Sequence, residues 1–289
     1  MTAGTTPASA KDEPVEVGRR TLTLVDPSRP TPANGDYAGA PDRTLPTVVS
    51  YPVRHGRRSS KLPLVVFATG FGGNSTNYAP LYDHWVRAGF AVAAPTFPLS
   101  RNDAPGGASA NDLQSQPGDV RFVLDRVLAE SKQRGSPLHD LVDPKRIGLA
   151  GKSLGAITAL LDGYDPAEHE PRFRAVLAMT GLAMNSVRFD RYDTPLLLVH
   201  GDADTTVPIQ GSIDAYAGAQ PPKFFVTVFG STHTSAFDGG TAPASVVVNR
   251  TTTDFLDAYV KRERDAIGRL ERDGDVAGVA AIQAATRAS

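Results

Sequence analysis

The sequence contains no cysteine among its 289 residues. Without cysteine the chain can form no disulfide, no thiolate zinc site and no cysteine nucleophile. It also lacks an excess of either charge, since 30 Lys and Arg residues are balanced by 31 Asp and Glu residues. A nearly neutral chain offers no electrostatic footprint for nucleic acid, so a polyanionic partner is not expected.

Long apolar runs are missing as well. No run approaches the roughly 20 residues that a membrane-spanning helix needs, which predicts a soluble protein. Residues 1–18 have neither the basic nor the apolar region of a secretion signal, and taken literally they predict a cytosolic protein. Such a small polar segment is also typical of the start of a chain whose signal has been removed, so export stays open, as does the oligomeric state.

Metal and phosphate motifs are absent too. The sequence has no HExxH, no calcium-loop spacing, no G-x-x-x-x-G-K-[ST] and no GxGxxG. We therefore expect no metal site and no cofactor.

What the chain does contain is an alternation of short apolar runs with longer helical patterns, and 40% of its residues are apolar. This order predicts an α/β protein with a mostly parallel twisted sheet of about eight strands and helices on both faces. The predicted strands are 20–25, 47–51, 62–68, 90–95, 146–150, 174–179, 195–200 and 223–229, and the first two are expected to form an antiparallel edge.

Helices are predicted over 77–88, 115–128, 156–161 and 244–260, with Ser115 capping the second of them. We expect a flexible segment over 1–18, one domain over 19–262, and a peripheral helix with a frayed tail over 263–289. The polar segment 100–116 is long for a connection, and it is either a surface excursion or part of a cleft wall.

One motif carries a specific chemistry. Gly151-Lys152-Ser153-Leu154-Gly155 fits G-x-S-x-G, and it stands between a predicted strand and a predicted helix. In this motif the serine occupies a strained turn, and the glycines let neighbouring backbone approach closely. Ser153 is therefore the candidate nucleophile.

A serine hydroxyl needs a histidine to take its proton and a carboxylate to orient that histidine. Both are expected downstream, each after a late strand. His233 is the candidate base, because it is the only histidine after the last predicted strand, and His200 is assigned a structural role. Asp204 is the candidate acid. Asp202 is the alternative, although its place directly after Gly201 suits a hydrogen bond to its own turn.

The backbone amides of Leu154 and Phe71 are the expected oxyanion donors, because the glycine-rich loop 69–73 follows a buried strand. Residues expected to bind substrate are Gly70, Phe71, Lys152 and Phe237. The Lys152 ammonium could stabilise an anionic intermediate, but we favour the interpretation that it points away into solvent or to a salt bridge.

The segments PLVVFATGFGGN, GFAVAAPTFPLSR, QPGDVRFVLD, GLAGKSLGA, HGDADTTVP and GSTHTSAF resemble the α/β-hydrolase superfamily over roughly residues 20–260. Among its members, the chain looks most like the esterases related to dienelactone hydrolase, which include chlorophyllases and platelet-activating-factor acetylhydrolases. Bacterial polyester hydrolases share this plan. Relatives usually have histidine at the position of Thr69, and often at that of Lys152, which leaves the substrate preference open. The segment 181–194 is too short for the large cap of many relatives.

These residues and the resemblance predict a serine hydrolase that cleaves a small or polymeric carboxylic ester through an acyl-enzyme. A polyester hydrolase of the cutinase kind or an acyltransferase could use the same triad. A noncatalytic ligand-binding protein of hydrolase fold is the third alternative. Pocket side chains decide which ester is bound, and one sequence does not place them.

Overall fold

A computed structural model of this protein describes residues 15–53 and 60–286. Within these ranges nine strands form one sheet. They are β1 (Val17–Asp26), β2 (Arg43–Pro52), β3 (Leu62–Ala68), β4 (Ala91–Pro95), β5 (Val142–Lys152), β6 (Phe173–Met179), β7 (Leu196–Gly201), β8 (Lys223–Val228) and β9 (Ala280–Ala285). Their spatial order is β1-β2-β4-β3-β5-β6-β7-β8-β9.

The centre of the sheet is parallel and its edges are antiparallel. Strands β4, β3, β5, β6, β7 and β8 all run in one direction. At one edge β1 and β2 form an antiparallel pair, as expected, and β9 is antiparallel to β8 at the other edge. The predicted mostly parallel sheet is confirmed.

Six α-helices in the described ranges cover the two faces of this sheet. They are α1 (Ala79–Arg87), α2 (Gln116–Lys132), α3 (Leu154–Tyr164), α4 (Gln210–Gly218), α5 (Pro243–Leu256) and α6 (Ala266–Gly274). Apolar residues of α2, α3 and α4 form one hydrophobic cluster with the sheet, and those of α1, α5 and α6 form a second. None of the described helices has both the length and the apolar composition needed to cross a membrane.

Strand β3 shows why the central strands are so apolar. Leu64 and Val66 belong to one hydrophobic cluster, whereas Val65 and Phe67 belong to the other. Because successive side chains of a strand point to opposite faces, a strand covered by helices on both sides needs apolar residues at every position. The predicted bounds of this strand match those of the structure.

The C-terminal segment differs from the expectation. The predicted helix is present as α6, but residues 280–285, which were expected in a frayed tail, form β9 and pair with β8 along its length. The described strands therefore number nine rather than about eight. The sheet extends well past the predicted domain boundary at residue 262, because pairing with β8 organises a segment of low intrinsic strand preference.

Two further expectations concern local structure. Ser115 precedes α2 but makes no capping hydrogen bond with its side chain, so the predicted hydroxyl cap is wrong. Its backbone is already helical (φ −99°, ψ −19°), whereas a capping residue usually adopts an extended backbone that aims its oxygen at the first amides.

The connection between β6 and β7 contains one short 3₁₀ turn, Phe189–Arg191, and no inserted helical cap.

A buried ion-pair network ties the antiparallel edge to α2. The Arg43 guanidinium is fully buried and donates from Nε to Asp119 and from Nη2 to both Asp119 and Asp112. The second oxygen of Asp112 accepts the Leu99 and Ser100 amides, each at 3.0 Å. This network fixes the start of segment 100–116 against the sheet.

We expect Arg43→Met to lower the free energy of unfolding by about 3–5 kcal/mol, because it leaves the buried Asp112 without a cation and Asp119 with only Arg29. Arg146→Met is the matched control, since Arg146 pairs with Asp143 and both side chains are partly exposed. Loss of that pair should cost less than about 1 kcal/mol. Urea-induced unfolding measures both variants, and equal losses would contradict a structural role for the buried network.

Candidate active site

Ser153 occupies a strained turn between β5 and α3. Its backbone has φ 58° and ψ −121°, a conformation that residues with a side chain rarely adopt. Such a residue costs about 1–3 kcal/mol and persists only where its surroundings hold it. Here the Ser153 amide donates to the Met179 carbonyl at 2.9 Å, and the Ser153 carbonyl accepts the Ala156 amide at 2.9 Å. The turn therefore holds Ser153 at the carboxyl end of the parallel strands.

The two glycines of the motif allow this turn to form. A Cβ atom on Gly151 would lie 2.0 Å from the Gly155 carbonyl oxygen, and one on Gly155 would lie 2.0 Å from the Ala68 carbonyl oxygen. Both distances are far below van der Waals contact. The start of α3 thus packs directly on the backbone of β3 and β5, as the G-x-S-x-G pattern predicts.

The structure brings the three predicted triad residues together. His233 follows β8 and approaches Ser153 Oγ with Nε2 at 2.9 Å. Its other nitrogen, Nδ1, lies 2.7 Å from Asp204 Oδ2. Asp204 follows β7, so all three residues come from the carboxyl ends of parallel strands.

Asp204 is held as an ionised acceptor. Burial alone would raise the pKa of this carboxyl, but hydrogen bonds from His233 and from the Val207 and Thr206 amides outweigh it and lower the pKa. The two amides donate to Oδ1 at 2.9 and 2.8 Å, and Oδ2 lies 2.7 Å from His233 Nδ1 and 3.2 Å from His200 Nε2. The carboxylate is thus fixed in position and charge.

Asp202 occupies a different environment. It is exposed, and its Oδ1 accepts the Gly230 amide at 2.6 Å, so it ties the turn after β7 to the turn after β8. His200, assigned a structural role, is fully buried, and its ring contacts the Ser212 hydroxyl at 2.7 Å and the Val207 carbonyl at 2.9 Å. Burial lowers the pKa of His200, which favours a neutral ring.

The two amides expected to bind an oxyanion have no hydrogen-bond partner in the described part of the chain. In the glycine loop, the Gly72 amide donates to Ser100 at 2.7 Å and the Gly73 amide to Gly70 at 2.9 Å. The Phe71 amide between them is left without an acceptor, and Leu154 begins α3, where no preceding helical turn offers a carbonyl. The loop passes close to the nucleophile, since a Cβ on Gly70 would lie 3.2 Å from Ser153 Cβ.

A cleft of about 440 Å³ opens beside Ser153 and His233. All four residues expected to bind substrate line it: Gly70, Phe71, Lys152 and Phe237. Several further residues line it that were not predicted from the sequence: Gly72, Gly73, Asn77, Tyr78, Asn102, Thr206, Thr234 and Asp238. Asn102 shows that part of segment 100–116 forms a cleft wall. Burial raises the pKa of Tyr78 to about 12, so its hydroxyl remains a donor at neutral pH.

The favoured interpretation of Lys152, that its ammonium points into solvent or to a salt bridge, is wrong. The residue is 4% exposed and, among the described residues, it forms neither an ion pair nor a hydrogen bond. The physical reason is strand alternation, since residue 152 shares a face with the buried Ala150. Burial lowers the pKa of Lys152 to about 8, although the charge of Asp204 opposes the shift.

The close packing at Gly155 predicts a large effect of one methyl group. Gly155→Ala should lower the free energy of unfolding by at least about 2 kcal/mol, because the new Cβ would overlap the Ala68 carbonyl. Gly268→Ala in α6 is the matched control, since a Cβ there meets nothing within 4 Å. That change should stabilise the protein by up to about 1 kcal/mol through helix propensity. Thermal and urea unfolding of both variants would measure the difference, and a neutral Gly155→Ala would contradict the packing described.

No protein-family model matches the chain, and no curated protein is significantly similar to it. The chemistry of the cleft must therefore be inferred from its own atoms.

Proposed function

We propose that this protein is a serine hydrolase that cleaves carboxylic esters through an acyl-enzyme. The observation that carries the proposal is the continuous hydrogen-bond chain from Asp204 through His233 to Ser153. It ends at a cleft, beside two amides that have no partner within the described residues. A noncatalytic binding protein would not require these features together.

In the first half of the reaction, His233 Nε2 accepts the proton of Ser153 Oγ while Oγ bonds to the ester carbonyl carbon. The carbonyl oxygen becomes an oxyanion, to which the Phe71 and Leu154 amides can donate. The imidazolium then gives its proton to the alcohol oxygen as the carbon–oxygen bond breaks. The alcohol leaves, and the acyl group stays on Ser153.

In the second half, a water molecule takes the place of the alcohol. His233 accepts a proton from this water as its oxygen bonds to the acyl carbon, and the same two amides hold the second oxyanion. The proton returns to Ser153 Oγ as the acid is released. Asp204 stays ionised throughout, because its hydrogen bonds favour the carboxylate.

We also place the chain, as part of this proposal, in the α/β-hydrolase superfamily, near the esterases related to dienelactone hydrolase. The parallel sheet and the strained turn at Ser153 support this placement. A polyester is a second candidate substrate, because Phe71 in the cleft wall is 52% exposed and offers an apolar surface to a chain lying across the opening. An acyl acceptor other than water would make the same site an acyltransferase.

Ser153 should react with a fluorophosphonate, because only a hydroxyl activated by its base does so readily. Ser153→Ala should abolish labelling and lower kcat on a soluble ester by about a millionfold. Ser100→Ala serves as the control, since Ser100 is a buried serine outside the triad. Intact-mass and peptide mass spectrometry would locate the label. A native protein that is not labelled would favour the binding-protein alternative.

Asp204→Asn should lower kcat by about a hundred- to ten-thousandfold with the fold intact. The Asn carbonyl can still accept the Thr206 and Val207 amides, which turns its NH₂ group toward His233 Nδ1 and imposes the wrong ring tautomer. In Asp202→Asn the new carbonyl can still accept the Gly230 amide, so we expect near-normal kcat and at most about 1 kcal/mol less stability. Measured kcat and Tm would decide, and a folded but inactive Asp202→Asn beside an active Asp204→Asn would reverse the two roles.

A further inference from the structure

Lys152 is a largely buried cation in the cleft wall that has no partner among the described residues. It lines the cleft, the residue is 4% exposed, and no carboxylate of the described residues pairs with it. A buried charge is costly unless an opposite charge or hydrogen bonds compensate it. An unpaired ammonium next to a candidate nucleophile therefore suggests that a bound ligand supplies the missing charge.

The carboxylates around the cleft are committed elsewhere. Asp204 is close enough to act on Lys152 through its charge, but its oxygens contact His233, His200 and two backbone amides. Asp238, which also lines the cleft, accepts the Gly240 amide at 2.9 Å and the Ser245 hydroxyl at 3.2 Å. The other titratable groups in the cleft wall, His233 and Tyr78, supply no negative charge. An imidazole does not become an anion, and burial raises the pKa of Tyr78 to about 12, so its hydroxyl stays protonated at neutral pH.

The position of Lys152 limits where such a ligand charge would lie. Lys152 ends β5, directly precedes Ser153 and lines the same cleft as Ser153 and His233. Because burial brings the pKa to about 8, the side chain is still mainly a cation at pH 7. An anionic group a few atoms from the scissile ester would meet this charge, whereas a neutral ester would leave it unpaired.

We infer that the substrates are esters with a second, ionised carboxylate, such as half-esters of short dicarboxylic acids, and that Lys152 binds this carboxylate. The inference rests on the proposed ester hydrolysis, because it names the substrate class of the same cleft. It makes Lys152 a specificity-determining residue.

The kinetic test uses two p-nitrophenyl esters of glutaric acid that differ in charge, the half-ester with a free carboxylate and its methyl ester. At pH 7 the native protein should show a kcat/KM at least about tenfold higher for the charged ester, because only that ester neutralises the buried cation. Lys152→Met should lower this ratio at least about tenfold, and Lys152→Arg, which keeps the charge, should retain most of it.

Lys61→Met is the matched control, because Lys61 pairs with Asp140 on the surface and its loss changes the net charge equally. Its ratio should equal that of the native protein. A native ratio near one, or a ratio that Lys152→Met leaves unchanged, would overturn the inference.

A binding measurement separates this inference from the proposed function. Ser153→Ala protein is titrated with monomethyl glutarate and with dimethyl glutarate, and nuclear magnetic resonance shifts report the affinity. The monoanion should bind at least about tenfold more tightly, and Lys152→Met in the same background should remove the difference. If no ester is hydrolysed but this preference holds, the hydrolase proposal fails and the anion site stands. If both esters are hydrolysed at equal rates and bind equally, the hydrolase stands and the anion site is refuted.

Discussion

The candidate site depends on a contact between backbones that leaves no room for a side chain. Gly151 and Gly155 let the start of α3 lie against β3 and β5, with hypothetical Cβ atoms only 2.0 Å from carbonyl oxygens. This contact imposes the left-handed backbone of Ser153 and directs the helix N-terminus toward the cleft. The hydrophobic clusters on both faces of the sheet hold the two strands and the helix in place. Global packing therefore stabilises a local conformation that the isolated peptide would not adopt.

The sheet contributes to the site in a second way, because its central strands all run in the same direction. Parallel strands place all their carboxyl ends at one edge, and the loops that follow β5, β7 and β8 carry Ser153, Asp204 and His233. Residues that are 29 and 80 positions apart in sequence thus approach to 2.7 and 2.9 Å. Side chains fixed by rigid strands need little reorganisation to act together. Two of the hydrogen bonds that lower the pKa of Asp204, those from the Thr206 and Val207 amides, belong to the same turn that positions it.

Much of this arrangement could be predicted, because buried parallel strands are continuous apolar runs and the three triad candidates each follow one of them. Strand β9 could not be predicted, because its sequence AAIQAA has weak strand preference and the strand forms only by pairing with β8. Tyr78 and Asn102 were missed because each reaches the cleft from a distant segment, and contact across a cleft leaves no periodic pattern. The burial of Lys152 could have been predicted, because residues 150 and 152 of a strand point to the same face and Ala150 is apolar.

Strand β9 also bears on how this protein is made. Its partner β8 contains Phe224, Phe225 and Val226, and before β9 pairs with it one row of its backbone groups has no partner within the sheet. During synthesis the ribosome releases residues 280–285 after all the other described strands, so this apolar edge stays unprotected until those residues emerge. An exposed, apolar strand edge is a template for pairing with other chains. In the interval between the release of β8 and the arrival of β9, this edge of the nascent chain can therefore pair with another chain.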